Sequence, residues 1–466
     1  MFEFENRIAR IIKEEGQADF NAFIGSATAK EFIDSGRLVR TRVLDAEQVI
    51  ELLDSTEAAG AFKEERGAIV VEHDRIPFRS YPYEWPPEML HAAGLLTLDL
   101  ADSLHAEGLG LKDATPYNIL FRGPEPVFVD LLSFERRAEG DSIWLPSAQF
   151  ERTFLLPLLV NKKFGITINE LLTTRRDGLE PEEIYNLCGT VQKLVPPFLT
   201  LVSLPTWLAA KRNRDDLGIY EPKRLENAEK AHFILGSLYK RLRRMLDRLK
   251  PEAGRASAWS DYMASNNNYS REHFAAKQDF VERAGQEFGA KRVLDVGCND
   301  GHFSALCARS GASVVAVDND PVVVGNVWRK ARAEKLDILP LVIDLSRPSP
   351  AIGWRNRECQ SFLDRARRAF DCVLMLAVIH HLLVTERIPL DEIVELAAEL
   401  TTDMLIIEFI APQDSMFRRI VRGRDNLFRH LTVELFEATC RRHFEIIRSQ
   451  HMDQSSRWLY LLRKRR

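Results

Sequence analysis

Cysteine is scarce: six are spread over 466 residues, and no two stand close enough for a CxxC pair or another compact metal-ligand group. That sparseness excludes a disulfide-built scaffold and a zinc ribbon. Cys188, Cys298, Cys307, Cys359, Cys372 and Cys440 are expected to be free thiols of a reducing compartment, with no bound metal. No sign of charge dominates either, since 64 lysines and arginines face 68 acids for a net charge of -4. Net charge therefore gives no indication of a nucleic-acid partner. Long apolar runs are also missing. The longest uncharged stretch, Leu194 to Ala210, holds Pro196, Pro197 and Pro205 and falls short of the ~20 residues a membrane span needs. It reads as loop-and-helix core rather than as an interfacial segment. Acids stand among the apolar residues from the third position onward, which argues against a secretory leader. The expectation is a cytoplasmic protein without a membrane span, its oligomeric state left open.

A chain of this length is too long for one ordinary core. Three regions are expected: an α+β region over 1–139, a helical region over 140–250 and an α/β domain over 255–466. The last boundary falls at the polar, turn-forming Pro251-Glu252-Ala253-Gly254. The fold class expected overall is α/β, with a mostly helical α+β N-terminal region ahead of the sheet domain.

The most informative stretch is Val293-Leu294-Asp295-Val296-Gly297-Cys298-Asn299-Asp300-Gly301. It has the pattern of a buried strand, a glycine turn and a helix start, with side chains removed at Gly297 and Gly301 where the backbone must turn and approach a ligand. A second strand, Ser313 to Val317, ends in Asp318. An acid about twenty positions after such a turn, at the carboxyl end of the next strand, suits a ribose diol, because two hydroxyl donors can face one carboxylate. Further strands at Leu339–Ile343, Asp371–Leu376 and Met404–Ile407 end in Asp344-Leu345, in Ala377-Val378-Ile379-His380-His381 and in Glu408. Each brings polar residues to the same sheet edge. A dinucleotide oxidoreductase fits less well, because there is no G-x-G-x-x-G and Asp295 would repel a pyrophosphate.

The ordered set VLDVGCNDG, VAVDND, LVIDLS and FDCVLMLAVIHHL resembles the cofactor motifs of class I S-adenosylmethionine-dependent methyltransferases. The two-part arrangement is also similar to bacterial methyltransferases grouped with rhizobial nodulation proteins. The resemblance implies a Rossmann-like seven-stranded sheet over the C-terminal half, with S-adenosyl-L-methionine as cofactor. It places Asp295, Gly297 and Gly301 on the methionine part, with Cys298 and Asn299 in the turn between the glycines. Asp318 falls on the ribose, Asn319, Asp344 and Leu345 beside the adenine, and Ala377 and His380 near the transferable methyl group. Asn299-Asp300 departs from the Gly-Thr common in this turn. Methyl transfer needs a base only when the acceptor carries its proton, and His380 or His381 is the candidate. An alternative for the pair is that one histidine packs and the other caps a turn; for Asp344 it is an N-cap. Arg418, Arg419, Arg422 and Arg424, beyond the fifth strand, are expected to form an exposed basic helix.

In the first half, Leu111-Lys112-Asp113-Ala114-Thr115-Pro116-Tyr117-Asn118, a hairpin and Asp130 resemble the catalytic loop and metal-binding segment of kinase-like phosphotransferases. There the matching residues serve as the base (Asp113) and hold magnesium (Asn118, Asp130). The chain departs from that family: it lacks a glycine-rich phosphate loop and a strand lysine, and Leu131-Leu132 stands where Phe-Gly would follow. The function expected is methyl transfer to an unidentified acceptor, a small molecule or glycan ahead of others. The alternatives are a cofactor-binding pseudoenzyme or scaffold, and a phosphotransferase in the N-terminal half.

Overall fold

The computed structural model describes residues 2–4, 7–54, 68–211, 224–254 and 271–465. The 255–270 stretch, where the sheet domain was expected to begin, lies outside the described residues. Two compact units emerge, one of Met1–Tyr83 with Pro87–Pro251 and one of Glu84–Pro86 with Glu252–Arg466.

The first unit opens with a four-stranded antiparallel sheet in the order Phe2–Phe4, Arg7–Ile12, Ile69–His73, Thr41–Val43. Its central helix, Pro87–His105, starts on a proline that has no N–H to lose in a first turn, and it buries residues on every side. The amphipathic Ala228–Arg248 helix packs on it through one apolar stripe, which includes Leu235, Leu242 and Leu246. Pro157 does not interrupt a helix as its ring would in mid-turn. A wide π-turn over Glu151–Leu155 precedes it, and Pro157 sits in the first turn of Leu156–Phe164. The expected hairpin is present, with Ile119–Arg122 antiparallel to Glu125–Phe128.

The second unit is built on a seven-stranded sheet. Its strands are β1 (Arg292–Val296), β2 (Ser313–Asp318), β3 (Ile338–Val342), β4 (Phe370–Met375), β5 (Thr401–Ile410), β6 (Phe444–His451) and β7 (Arg457–Lys464), arranged 3-2-1-4-5-7-6. The first five pair in parallel, and β7 inserts antiparallel between β5 and β6. Helices cover the sheet, so its inner strands are almost wholly apolar, as parallel sheets require. Pro340 is tolerated because β3 is an edge strand. Register sets the site: Val296 lies opposite Val317 and Met375, and Met375 lies opposite Ile407. The residues that follow these four positions therefore leave the sheet at one level along its carboxyl edge.

Candidate functional site

Beyond Val296 the backbone turns through left-handed conformations at Gly297 (φ 69°), Asn299 (φ 48°) and Gly301 (φ 70°). The Gly297 and Cys298 N–H groups both donate to the Val317 carbonyl, at 2.8 and 3.1 Å, which stitches the turn to β2. A Cβ on Gly297 would lie 2.4 Å from Val378 Cγ2, and one on Gly301 would lie 2.9 Å from Val327 Cγ2. Glycine is thus required at both places by neighbouring side chains as well as by φ. Asn299 holds the positive φ that its short amide tolerates, and its Oδ1 accepts from the Asp300 N–H at 2.8 Å. Asp300 in turn accepts from the N–H of His302, the first residue of the next helix. The Asn-Asp pair that departs from Gly-Thr therefore closes the turn with its own side chains.

Asp295 is 2% exposed and accepts from the Ser304 hydroxyl at 2.6 Å. Burial pushes its carboxyl up to about 6 against the pull of that hydrogen bond, helped by the nearby Asp318 and Asp300 charges. It thereby ties β1 to the His302–Arg309 helix. Cys298 is buried, and burial raises its thiol well above the ordinary range, so it is a packing residue with no thiolate character.

Asp318 ends β2 and accepts from the Asn299 and Asp320 N–H groups, each at 3.1 Å. Burial raises its proton affinity in spite of those bonds, and no lysine or arginine is paired with it among the described residues. Asn319 is exposed beside it. At the end of β3, Asp344 accepts from the Ser346 N–H and hydroxyl at 2.9 and 2.6 Å and from Arg347 at 2.9 Å. Burial works against its charge, but those bonds outweigh it and hold the carboxyl below its usual range. Its carboxylate is spent on its own turn, and Leu345 beside it is half-buried.

After β4, Ala377 takes a left-handed φ of 55°, unusual for a residue with a Cβ, and starts the turn into the Ile379–Val384 helix. The structure distinguishes the two histidines. His380 is 1% exposed, and neither ring nitrogen has a hydrogen-bond partner among the described residues. His381 is half-buried, with its ring centroid 4.2 Å from that of His380. Burial first, then His381, Arg457 and Lys277, drives His380 well below the usual imidazole range and keeps it neutral.

The last two of those neighbours belong to a buried ionic chain that the sequence reading missed. Lys277 Nζ lies 2.6 Å from Glu408 Oε2, and Arg457 bridges Glu408 at 3.5 Å and Asp414 at 2.9 Å. All four side chains are at most 9% exposed. Two cations and two carboxylates cancel, which is what lets them stay buried. A signal was present. Lys277 occupies the apolar stripe Phe274, Lys277, Val281, Ala284, Phe288 of its helix, and Glu408 interrupts the apolar run from Met404 to Ile410. Arg418, Arg419, Arg422 and Arg424 are exposed.

In the first unit, Asn118 donates to the Ser133 hydroxyl at 3.0 Å, and Ser133 donates to Asp130 at 2.7 Å. Asp113 is exposed. The cation facing Asp130 is Arg10, at 2.5 Å, and no group of three metal-ligating side chains occurs among the described residues.

Over residues 269–454 the chain matches the family described as "Methyltransferase domain". It is 30% identical to the nodulation protein NoeA of Rhizobium meliloti (strain 1021) over 465 residues, 99% of this chain and 93% of that protein. Among solved structures it is similar to the N-methyltransferase NodS from Bradyrhizobium japonicum WM9 in complex with S-adenosyl-l-homocysteine, at 14% identity and a TM-score of 0.32, over 44% of this chain and 100% of that one. Magnesium protoporphyrin IX methyltransferase from Synechocystis PCC 6803 is similar at 18% identity and a TM-score of 0.30, over 44% and 92% respectively.

Proposed function

Since the chain belongs to the family of the nodulation protein NoeA and carries a methyltransferase domain, we propose that it is an S-adenosylmethionine-dependent methyltransferase acting on a hydroxyl of a small molecule or glycan. The observation that carries the cofactor part is Asp318. Its carboxylate lies at the carboxyl edge of the sheet, held by backbone amides and answered by no side-chain cation among the described residues. A half-buried carboxylate in that setting has lone pairs to offer a ribose diol. When bound, S-adenosylmethionine supplies a methyl group activated by a sulfonium.

The chain's own contribution is to bind, orient and accept a proton. Asp318 takes the two ribose hydroxyls, and Asn319 and Leu345 flank the adenine. Asp295, through Ser304, fixes the glycine turn against which the methionine part rests. Ala377 sets the course of the backbone beside the methyl position. His380 is the base in this reading: it is neutral, neither ring nitrogen has a partner among the described residues, and the nitrogen that carries no hydrogen takes the hydroxyl proton, which burial and the nearby Arg457 and Lys277 then make easy to hand on. His381 packs against it. Burial keeps bulk water from competing for that proton.

Calorimetric titration with S-adenosylmethionine should show saturable binding to the full chain, and the absence of binding would sink the proposal. Incubation with methyl-labelled cofactor and fractionated small molecules and glycans should label at least one fraction. Binding without any labelling would make the protein a cofactor-binding pseudoenzyme instead. His380→Gln should leave cofactor affinity within about twofold and slow transfer by roughly 100-fold, the usual worth of a positioned base.

A further inference from the structure

The uncharged stretch expected to be core is core only in part. Phe198, Leu201 and Val202 are buried, but Leu194, Leu204, Trp207 and Leu208 are exposed, as are Leu187 and Val191 just ahead of the stretch, Val191 by 77% and Leu208 by 60%. Of the sixteen exposed large apolar residues among the described residues, seven fall between 187 and 208. Scattered surface apolar residues need no explanation, whereas a concentration of this kind marks an interaction surface.

Packing joins these residues into one face. The Pro181–Leu187, Thr190–Leu194 and Leu204–Lys211 helices all pack on the short π-turn Leu199–Ser203. Trp207 donates its indole N–H to the Tyr185 hydroxyl at 3.1 Å, and the two rings meet edge-on. The Lys193 ammonium lies 3.9 Å from the centre of the Tyr185 ring. Three helices thus contribute a tryptophan, a tyrosine and a lysine to one cluster at the edge of the exposed apolar residues.

We infer that this face docks on an anionic lipid bilayer. Charge selects that occupant. Within residues 184–210 the one charged side chain is Lys193, and Glu183, just before that stretch, is paired with Arg175 at 3.1 Å. An anionic membrane surface presents negative headgroups directly above hydrocarbon, which suits exposed leucine and valine beside a lysine and free of acids. Tryptophan and tyrosine, apolar in body and polar at the tip, are the side chains that settle at that boundary. No described helix is long and apolar enough to cross a membrane, so the contact is interfacial.

The test is co-sedimentation of the full chain with large unilamellar vesicles, either phosphatidylglycerol mixed with phosphatidylcholine or phosphatidylcholine alone. Binding should favour the anionic vesicles and weaken as salt is raised. The double variant Val191→Glu/Leu208→Glu should lower the partition coefficient by at least about tenfold, because it replaces two inserted apolar groups with charges. Both positions are exposed, so its melting curve should match that of the parent chain. Lys193→Glu gives a milder, independent probe, expected to weaken anionic-vesicle binding by about threefold to tenfold. No binding to anionic vesicles, or equal binding by the parent and both variants, overturns the inference. So does a parent chain that ignores vesicles but sediments as a dimer that the double variant dissociates, which would make this face a protein interface.

Discussion

Asp130 in the first unit and Asp318 in the second both lie where a strand gives way to a turn, and both are partly buried and accept from backbone amides, Asp130 from Leu132 and Asp318 from Asn299 and Asp320. They differ in who answers the charge. Asp130 meets a guanidinium, a serine hydroxyl and an amide, and although burial opposes its charge these partners hold it below the usual carboxylate range. Among the described residues Asp318 meets amides alone, and burial leaves it above that range. A carboxylate already neutralised inside its own fold has little left for a ligand, while one held in place but electrostatically unanswered keeps that capacity. The contrast explains why two acid motifs, each recognisable along the chain, receive different assignments: the first is a fastening and the second a proposed cofactor contact.

The sharpest way to break this comparison is to remove each carboxylate in turn. Asp318→Ala should weaken S-adenosylmethionine binding by at least about 100-fold, the loss of two hydrogen bonds to a charged acceptor, as read by calorimetry. Asp130→Ala should leave that affinity within about twofold. Equal effects would erase the distinction. Next in size is Gly297→Ala, whose new Cβ would collide with Val378 at a left-handed φ. It should cost about 2–3 kcal/mol and lower the melting temperature of the second unit by roughly 4–12 °C, whereas Gly189→Ala, with open space around it, should be nearly neutral.

The two units should also respond oppositely to pH. The native carboxyl of Asp295 is raised from 3.8 to about 6, so the folded second unit holds that proton more tightly than the unfolded chain does. Its contribution to stability is fully present below about pH 4 and is lost as pH rises through about 6, a swing of about 3 kcal/mol. Calorimetric melts of Asp295→Asn between pH 4 and 7 should lack this slope. The Asp130 carboxyl is lowered from 3.8, so its contribution is present above that value and is lost as pH falls through the lower native value. Smallest is Arg10→Ala, which should cost the first unit about 1–2 kcal/mol at pH 7 and leave the melting of the second unit unchanged.

The methyltransferase half was legible because parallel strands buried on both faces must be apolar, and each announces its end with a polar residue. β1 to β5 were therefore placed within one to three residues of their observed bounds, and Asp318, Ala377 and His380 were found where the strands end. Asp344 was legible only as a choice between ligand and cap, and its bonds to Ser346 and Arg347 show it closing its own turn. The first half was harder. Asn118 and Asp130 were singled out correctly as polar residues of a loop and hairpin, but Arg10, which decides what Asp130 does, lies 120 positions away. The Leu194–Ala210 run misled for the opposite reason: hydrophobic composition shows that residues prefer burial, and cannot show that the fold leaves five of its large apolar side chains exposed.

Sequence by itself determined the glycine turn, the alternation of strand and helix and the acid that ends β2, because φ, local periodicity and strand burial are properties of neighbouring residues. Only the tertiary structure decided that β7 inserts beside β5 and so brings Arg457 against Glu408 and Asp414, that Lys277 reaches the same chain from another helix, and that His380 is left neutral beside them with no partner at either nitrogen among the described residues. Those relations join residues up to 180 positions apart. They depend on which charges share a dry space, and that is settled by packing rather than by order along the chain.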